Sequence, residues 1–293
     1  MIVVPPITIT TALLATSNAV DATAWAAGTT YADAAVVSRN GRNWLSLQAG
    51  NLGKVPEEEI AWWANNGPSN QMAAFDSSVV TATTRAGGLS FTVQCGRITA
   101  VGFMGLVGQS ITITIRDGLG GAVVHTETRT LARSDGTFYG WCFEPFEQVR
   151  ELSFHGLPGT TNGHLTVEVA GSGTTEVGLC AMGKQFEVGQ AEYGFGMPLE
   201  DRGRHYLDAL DNPVNVERGY SKGMSGSIVT ERANFNRLMA FLSDYIGTPC
   251  LWIAAPGRGD LVSATAFGRF VRAVPVITNG QMITASLEIS GYR

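Results

Sequence analysis

The chain has 293 residues, enough for two or three domains, and only 15% of them are charged against roughly 25% in an average globular protein. Low charge together with 36 glycines suits a β-rich protein with many tight turns, and it argues against a helical bundle or a disordered chain. A net charge of −5, with Arg202-Gly-Arg204 the densest basic group, argues against nucleic acid as a partner, because that needs clustered Lys and Arg.

Residues 1–20 alternate β-branched residues with Pro and Thr, then turn to Ala, Ser and Asn. Pro5-Pro6 cannot sit in a central strand, so an extended arm is expected, packed either on this chain or on a neighbouring subunit. The absence of a basic stretch before an apolar run predicts no signal peptide, and no run of about 18 apolar residues offers a membrane span.

Residues 21–66 concentrate Trp25, Tyr31, Trp44, Trp62 and Trp63. Asn40-Gly41 is a two-residue hairpin signal between Val36-Val37-Ser38 and Trp44-Leu45-Ser46-Leu47. A unit this short buries a small core, so large aromatics must supply most of its area. Flat aromatic faces also stack on sugar rings, which makes the same five residues the candidate glycan-binding set. Core and stacking roles both stay open, with Trp63 the leading stacking candidate, since adjacent residues of an extended segment point to opposite faces.

The order of these residues resembles the small chitin-binding modules of bacteria, whose pattern falls here on Trp25, Tyr31, Val37, Gly41, Trp44, Pro56 and Trp62. The usual Gly-Asp before the Val is Ala34-Ala35 in this chain, a change the fold could survive but one that counts against sugar binding. From Trp62 to Asp76 the text is too polar for a core strand and too rich in Gly, Pro and Asn for a helix. This stretch reads as a junction that fixes the angle between modules.

Residues 67–185 carry a β pattern. Leu89-Ser-Phe-Thr-Val-Gln-Cys95, Ile111-Thr-Ile-Thr-Ile115 and Leu165-Thr-Val-Glu-Val169 alternate strictly, and further runs lie near 98–107, 122–131, 138–143 and 149–154. About seven short strands at this spacing predict a β-sandwich, most simply a jelly roll. Asp76, Asp117 and Asp135 lack a spaced acidic loop and read as turn residues rather than calcium ligands.

Residues 186–293 predict an α+β domain with one amphipathic helix. Its helix spans 232–246, with Phe235, Leu238, Met239, Leu242, Tyr245 and Ile246 on one face, and Gly247-Thr-Pro249 stops it. Cys250-Leu-Trp-Ile-Ala254 is an expected buried strand. In Ile283-Thr-Ala-Ser-Leu-Glu-Ile289, the residues Ile283, Ala285, Leu287 and Ile289 should face inward. The expected fold class is thus mainly β, in three modules after the arm.

Chemistry is sparse. Cys95, Cys142, Cys180 and Cys250 form no Cys-x-x-Cys pair and read as buried free thiols, with a disulfide left open. His125, His155, His164 and His205 are dispersed, and Gly223-Met-Ser-Gly-Ser227 lacks the Gly-x-Ser-x-Gly spacing of a nucleophile elbow. Glu57-Glu58-Glu59 after Pro56 looks like a solvated helix start. No phosphate loop of Walker or Rossmann spacing occurs. The expectation is a non-enzyme with no catalytic residue, no metal and no cofactor.

Three stretches read together resemble a family of minor tail or baseplate proteins of tailed bacteriophages. They are Trp63-x-x-x-Gly67-Pro-Ser-Asn-x-Met72-Ala-x-Phe75-Asp76, then Gly183-Lys-Gln with Gly189-x-x-x-Tyr193-Gly194, and then Glu217-Arg218-Gly-Tyr-Ser221-Lys222. The third continues to Thr248-Pro-Cys-Leu-Trp252-Ile and Ser286-Leu-Glu-Ile-Ser-Gly291, so the likeness runs from about residue 20 to the end. It implies a structural protein of the virion tail, made in the host cytoplasm. The implied partners are other tail proteins and further copies of itself. The alternative is a receptor-binding protein that meets a host surface glycan through the Trp-rich module or the sandwich.

Overall fold

The computed structural model describes residues 1–133, 137–143, 147–208, 210–216, 219–258, 261 and 264–292. The fold is mainly β, built from antiparallel sheets with one longer helix near the C-terminus. Three sheets and that helix stack as four layers, each interface filled by its own apolar cluster.

The outer layer is a five-stranded sheet ordered Ala122–Thr130, Ser110–Asp117, Gly163–Ala170, Leu89–Gln94 and Leu14–Ser17. The second layer has three strands, with Ala100–Met104 between Glu151–His155 and Leu179–Gly183. Phe91, Val93, Ile111, Ile113, Ile115, Leu165 and Val167 of the first sheet meet Val101, Phe103, Phe154, Cys180 and Met182 of the second. This is the sandwich that the alternating runs predict: period-2 patterning places every inward residue of Ile111–Ile115 in the core.

The second sheet is buried on both faces. Ala100 and Met104 turn away from the sandwich, and with Leu179 and Ala181 they pack on Ile2, Val4, Leu251, Ile253 and Phe267 of a third, seven-stranded sheet. That sheet runs Phe186–Glu187, Ile2–Val4, Cys250–Ile253, Thr265–Ile277, Met282–Gly291, Met224–Glu231 and Gln190–Ala191. Its other face carries Val3, Trp252, Ala285, Leu287 and Ile289 onto Leu238, Phe241 and Leu242 of the helix Phe235–Asp244. Strands covered on both sides need apolar residues at every position, which is why Ala100–Met104 and Cys250–Ile253 show no alternation. Gly102 is where the two sheets come closest: a Cβ there would lie 2.3 Å from Leu251 Cδ2.

The N-terminal arm packs on its own chain. Ile2–Val4 pairs with Leu251–Ile253 on one side and with Phe186 and Glu187 on the other. Pro5-Pro6 follows where that ladder ends, and Ile7 N–H resumes bonding at the Met182 carbonyl, 2.9 Å away. Leu14–Ser17 then forms an edge strand beside Leu89–Gln94. The amino group of Met1 donates to the Gly189 carbonyl, and burial lowers its pKa.

Four expectations are corrected. The run at 138–143 is a short helix, Phe138–Phe143, rather than a strand. Phe138, Tyr139 and Phe143 stay exposed on it, so its aromatic composition reports β-propensity that no neighbouring strand exploits. In the C-terminal helix Phe241 is buried while Met239 and Ile246 are exposed, because the helix ends at Asp244 and Ile246 lies beyond it. Cys142 is an exposed thiol, whereas Cys95, Cys180 and Cys250 are buried, and all four are free. Glu57 and Glu58 lie in a turn, not a helix. Asp135 and the Glu217-Arg218 pair lie outside the described residues.

Candidate functional site

The aromatic module is a three-stranded sheet, Val36–Arg39, Arg42–Ser46 and Trp63–Pro68. The Asn40-Gly41 turn has both residues at positive φ, 51° and 73°, as a type I′ hairpin requires. Register then sets Val37 opposite Trp44 and Ser46 opposite Trp63. Tyr31 meets Trp63 edge-on with centroids 5.4 Å apart, and Val37 and Trp44 complete the cluster.

Trp63, the expected exposed stacker, is the centre of this core. It is 2% exposed and its Nε1 donates to the Lys54 carbonyl at 2.9 Å. Asn51 explains the inversion: buried itself, it donates to Ser46 Oγ and to the Trp62 carbonyl, and so fixes which of the adjacent tryptophans turns inward. Tyr31 and Trp44 are core too, and the Tyr31 hydroxyl accepts from Ala26 N–H at 2.7 Å.

Trp25 and Trp62 are the half-buried pair at the surface. Each carries a cation over its ring. The Arg39 guanidinium lies 4.3 Å from the Trp25 centroid and pairs with Glu57 at 3.0 Å, while Lys54 Nζ lies 5.6 Å from the Trp62 centroid and pairs with Glu59 at 3.5 Å. One face of each accessible ring is therefore occupied by a side chain that a sugar would have to displace.

The junction after Trp63 is held by side chains that bond to backbone. Asn70 Nδ2 donates to the Val20 and Thr84 carbonyls, Gln71 Nε2 donates to the Ala19 carbonyl, and Gln71 N–H donates to Asp21. These residues tie the module to the arm and to the sandwich, so the polar content of the stretch serves positioning.

A second feature has no local signature in the sequence. A cleft of about 490 Å³ opens where the second and third sheets meet. Its apolar lining includes Val79, Met104 and Phe267, and its charged lining is Arg150 with the Lys222–Glu151 pair. Beside it, sharing Tyr292, is a shallow polar pocket with Arg202 and Arg269. Arg202 is neutralised by Glu200 at 2.9 Å, whereas Arg150 and Arg269 have no side-chain partner among the described residues.

The base of a projecting arm borders this cleft. Leu199–Asp201 pairs with Tyr220–Lys222, and Arg204–Leu207 pairs with Pro213–Val216. The arm is exposed on both faces, with Leu199 at 65%, Leu207 at 62% and Leu210 at 82%. Within it His205 Nε2 lies 2.7 Å from Asp201 Oδ2, and Nδ1 lies 3.0 Å from Asn215 Oδ1. Hydrogen bonding to Asn215, then to Asp201, raises the His205 pKa. The Gly203 N–H, then His205, lowers that of Asp201.

No His, Cys, Asp and Glu grouping among the described residues could hold a metal, and no described helix is long and apolar enough to cross a membrane. A scan against protein-family models finds no match, and a search of curated proteins finds none either.

Proposed function

We propose that this chain is a non-enzymatic structural component of a bacteriophage tail, a minor tail or baseplate protein that assembles with copies of itself and with other tail proteins in the virion. The observation that carries this reading is the arm. A two-stranded ribbon with leucines exposed on both faces is at best marginally stable in water by itself, and its apolar side chains acquire a role once another protein covers them. The third of the stretches that resemble tail proteins supports the same reading, because it supplies part of the cleft and its surroundings: Ser221-Lys222 lines the cleft region, and the Ser286–Gly291 stretch forms the adjacent strand.

The alternative, adhesion to a host glycan through the aromatic module, is favoured by Trp25 and Trp62 alone, and each has a ring face covered by a cation. The two readings separate in one experiment. Particles are grown with the arm shortened by joining Asp201 to Tyr220 through a two-residue turn, and in parallel with Trp25→Ala. Loss of the protein from purified particles in the first case supports the tail role. Normal particles carrying the shortened protein would sink it, and poor adsorption by normal particles of the Trp25→Ala form would favour the glycan reading.

A further inference from the structure

The arm and the cleft are complementary in the two properties that decide an interface. The arm tip reads Leu207-Asp208, then Leu210-Asp211: two exposed leucines alternating with two carboxylates. Asp208 accepts from Asn212 N–H at 2.9 Å and from Leu210 N–H at 2.7 Å, bonds that shape the turn and, Asn212 first, lower its pKa. Asp211 sits at φ 61° with no side-chain bond among the described residues, so its charge is available to a partner. The cleft presents the converse, an apolar lining exposed at Val80, Tyr220 and Tyr292 above the buried Met104 and Phe267, flanked by Arg150 and Arg269, which have no side-chain partner among the described residues.

The two cannot meet within one molecule. Gly219 and Tyr220, at the base of the arm, line the cleft. Pairing then runs outward from Asp201↔Tyr220 through Arg202 N–H to the Gly219 carbonyl and the four-residue ladder, ending at Asp208 N–H to the Asn212 carbonyl. Seven residues of paired strand at about 3.3 Å each hold the tip roughly 20 Å from the cleft beneath it. We infer that the tip of one copy, through Leu207, Asp208, Leu210 and Asp211, docks in the Arg150–Arg269 cleft of the next. This inference rests on the proposed assembly role and names the surface that executes it.

Such a contact joins two different patches and is therefore head-to-tail, so repetition closes a ring or propagates a filament. The tip leucines would desolvate against the exposed Val80 and Tyr292, and Asp208 and Asp211 would approach the two guanidinium groups. Guanidinium–carboxylate pairs that lose water on docking fix register more than they add affinity.

The test uses the purified full chain and sedimentation velocity across concentration and salt. Wild-type protein should self-associate, with association weakening as salt rises. Asp211→Asn, which keeps a residue tolerant of positive φ, should weaken it, and Asp211→Arg should weaken it at least ~10-fold, a readily measured difference in Kd. Arg269→Asp should do the same, and Asp211→Arg combined with Arg269→Asp should recover most of the loss. A wild-type chain that stays monomeric to about 1 mM, the Kd scale of negligible affinity, overturns the inference. So does association indifferent to these charges. Because no particle is involved, its failure is distinct from failure of the tail assignment, which the arm-shortening experiment decides.

Discussion

The four-layer body and the projecting arm use similar residues to opposite ends. In the body, Ala100–Met104 and Cys250–Ile253 are covered on both faces, and each side chain belongs to one of two apolar clusters. In the arm, Leu199, Leu207 and Leu210 are exposed, and no layer covers them among the described residues. Local composition does not separate the two, since Pro213-Val-Asn-Val216 reads as plausibly buried as Leu165-Thr-Val-Glu-Val169. What differs is supply: the body finds its covering layers within this chain, and the arm has none among the described residues.

The sharpest way to break this contrast is to remove an interior strand of a layer. Deleting residues 1–5 withdraws three buried side chains, Ile2, Val3 and Val4, worth roughly 1.5–3 kcal/mol each, a loss comparable to the whole stability of a domain. The truncated chain should show no cooperative unfolding by circular dichroism, and a normal melt would mean the strand is dispensable. Next comes Trp63→Ala, for which urea titration should give a loss of about 3–5 kcal/mol, a cost typical of emptying an aromatic core site. An unaffected midpoint would show that the module is not held by this ring.

Gly102→Ala probes the contact between layers. Its Cβ would overlap Leu251, so a cost of about 1–3 kcal/mol is expected, and Leu251→Ala in the same chain should recover part of it as a coupling energy. Simple additivity would place the two residues out of contact. By contrast, Leu207→Ser with Leu210→Ser removes two leucines from the arm and should move global stability by no more than about 0.5 kcal/mol. A larger loss would mean that the arm is already covered.

The smallest effect is a pH dependence of the arm. His205 has its pKa raised in the folded arm, so its contribution is complete below the ordinary imidazole range near 6.5 and is lost as pH climbs through the raised value. Asp201 has its pKa lowered, so its contribution is present above the ordinary carboxylate range and is lost only as pH falls through the lowered value. Between the two, in mildly acidic solution, the Asp201–His205–Asn215 chain is strongest. Amide protection at residues 204–207, taken relative to the base-catalysed rate of an unfolded peptide, should be greatest there and fall on the alkaline side, and His205→Ala should flatten that profile.

Strands with one face to a core were legible in the sequence, because period-2 alternation at Leu89–Cys95, Ile111–Ile115 and Ile283–Ile289 follows directly from the pleat. The helix was legible through its 3.6 period. The layering was not, since a strand buried on two faces has no period to read, and Gly102 reveals its role only when Leu251 lies against it. Five aromatics marked the module, yet which of Trp62 and Trp63 turns inward was settled by Asn51 binding the Trp62 carbonyl, a contact 11 residues away that neither tryptophan announces. The cleft draws on residues from 79 to 292, so no window of sequence contains it.

The placement of Ile2–Val4 between Phe186–Glu187 and Cys250–Ile253 also sets an order of events in the making of the protein. Its two partners lie about 185 and about 250 residues downstream, and at about 5–20 residues per second the farther one takes on the order of 12–50 s of synthesis to appear. Throughout that interval Ile2–Val4 has no partner on that side, because Cys250–Ile253 has not yet been made. Pairing across such a separation is slow even once the partners exist. Closing this ladder brings the beginning and the end of this sequence into one sheet.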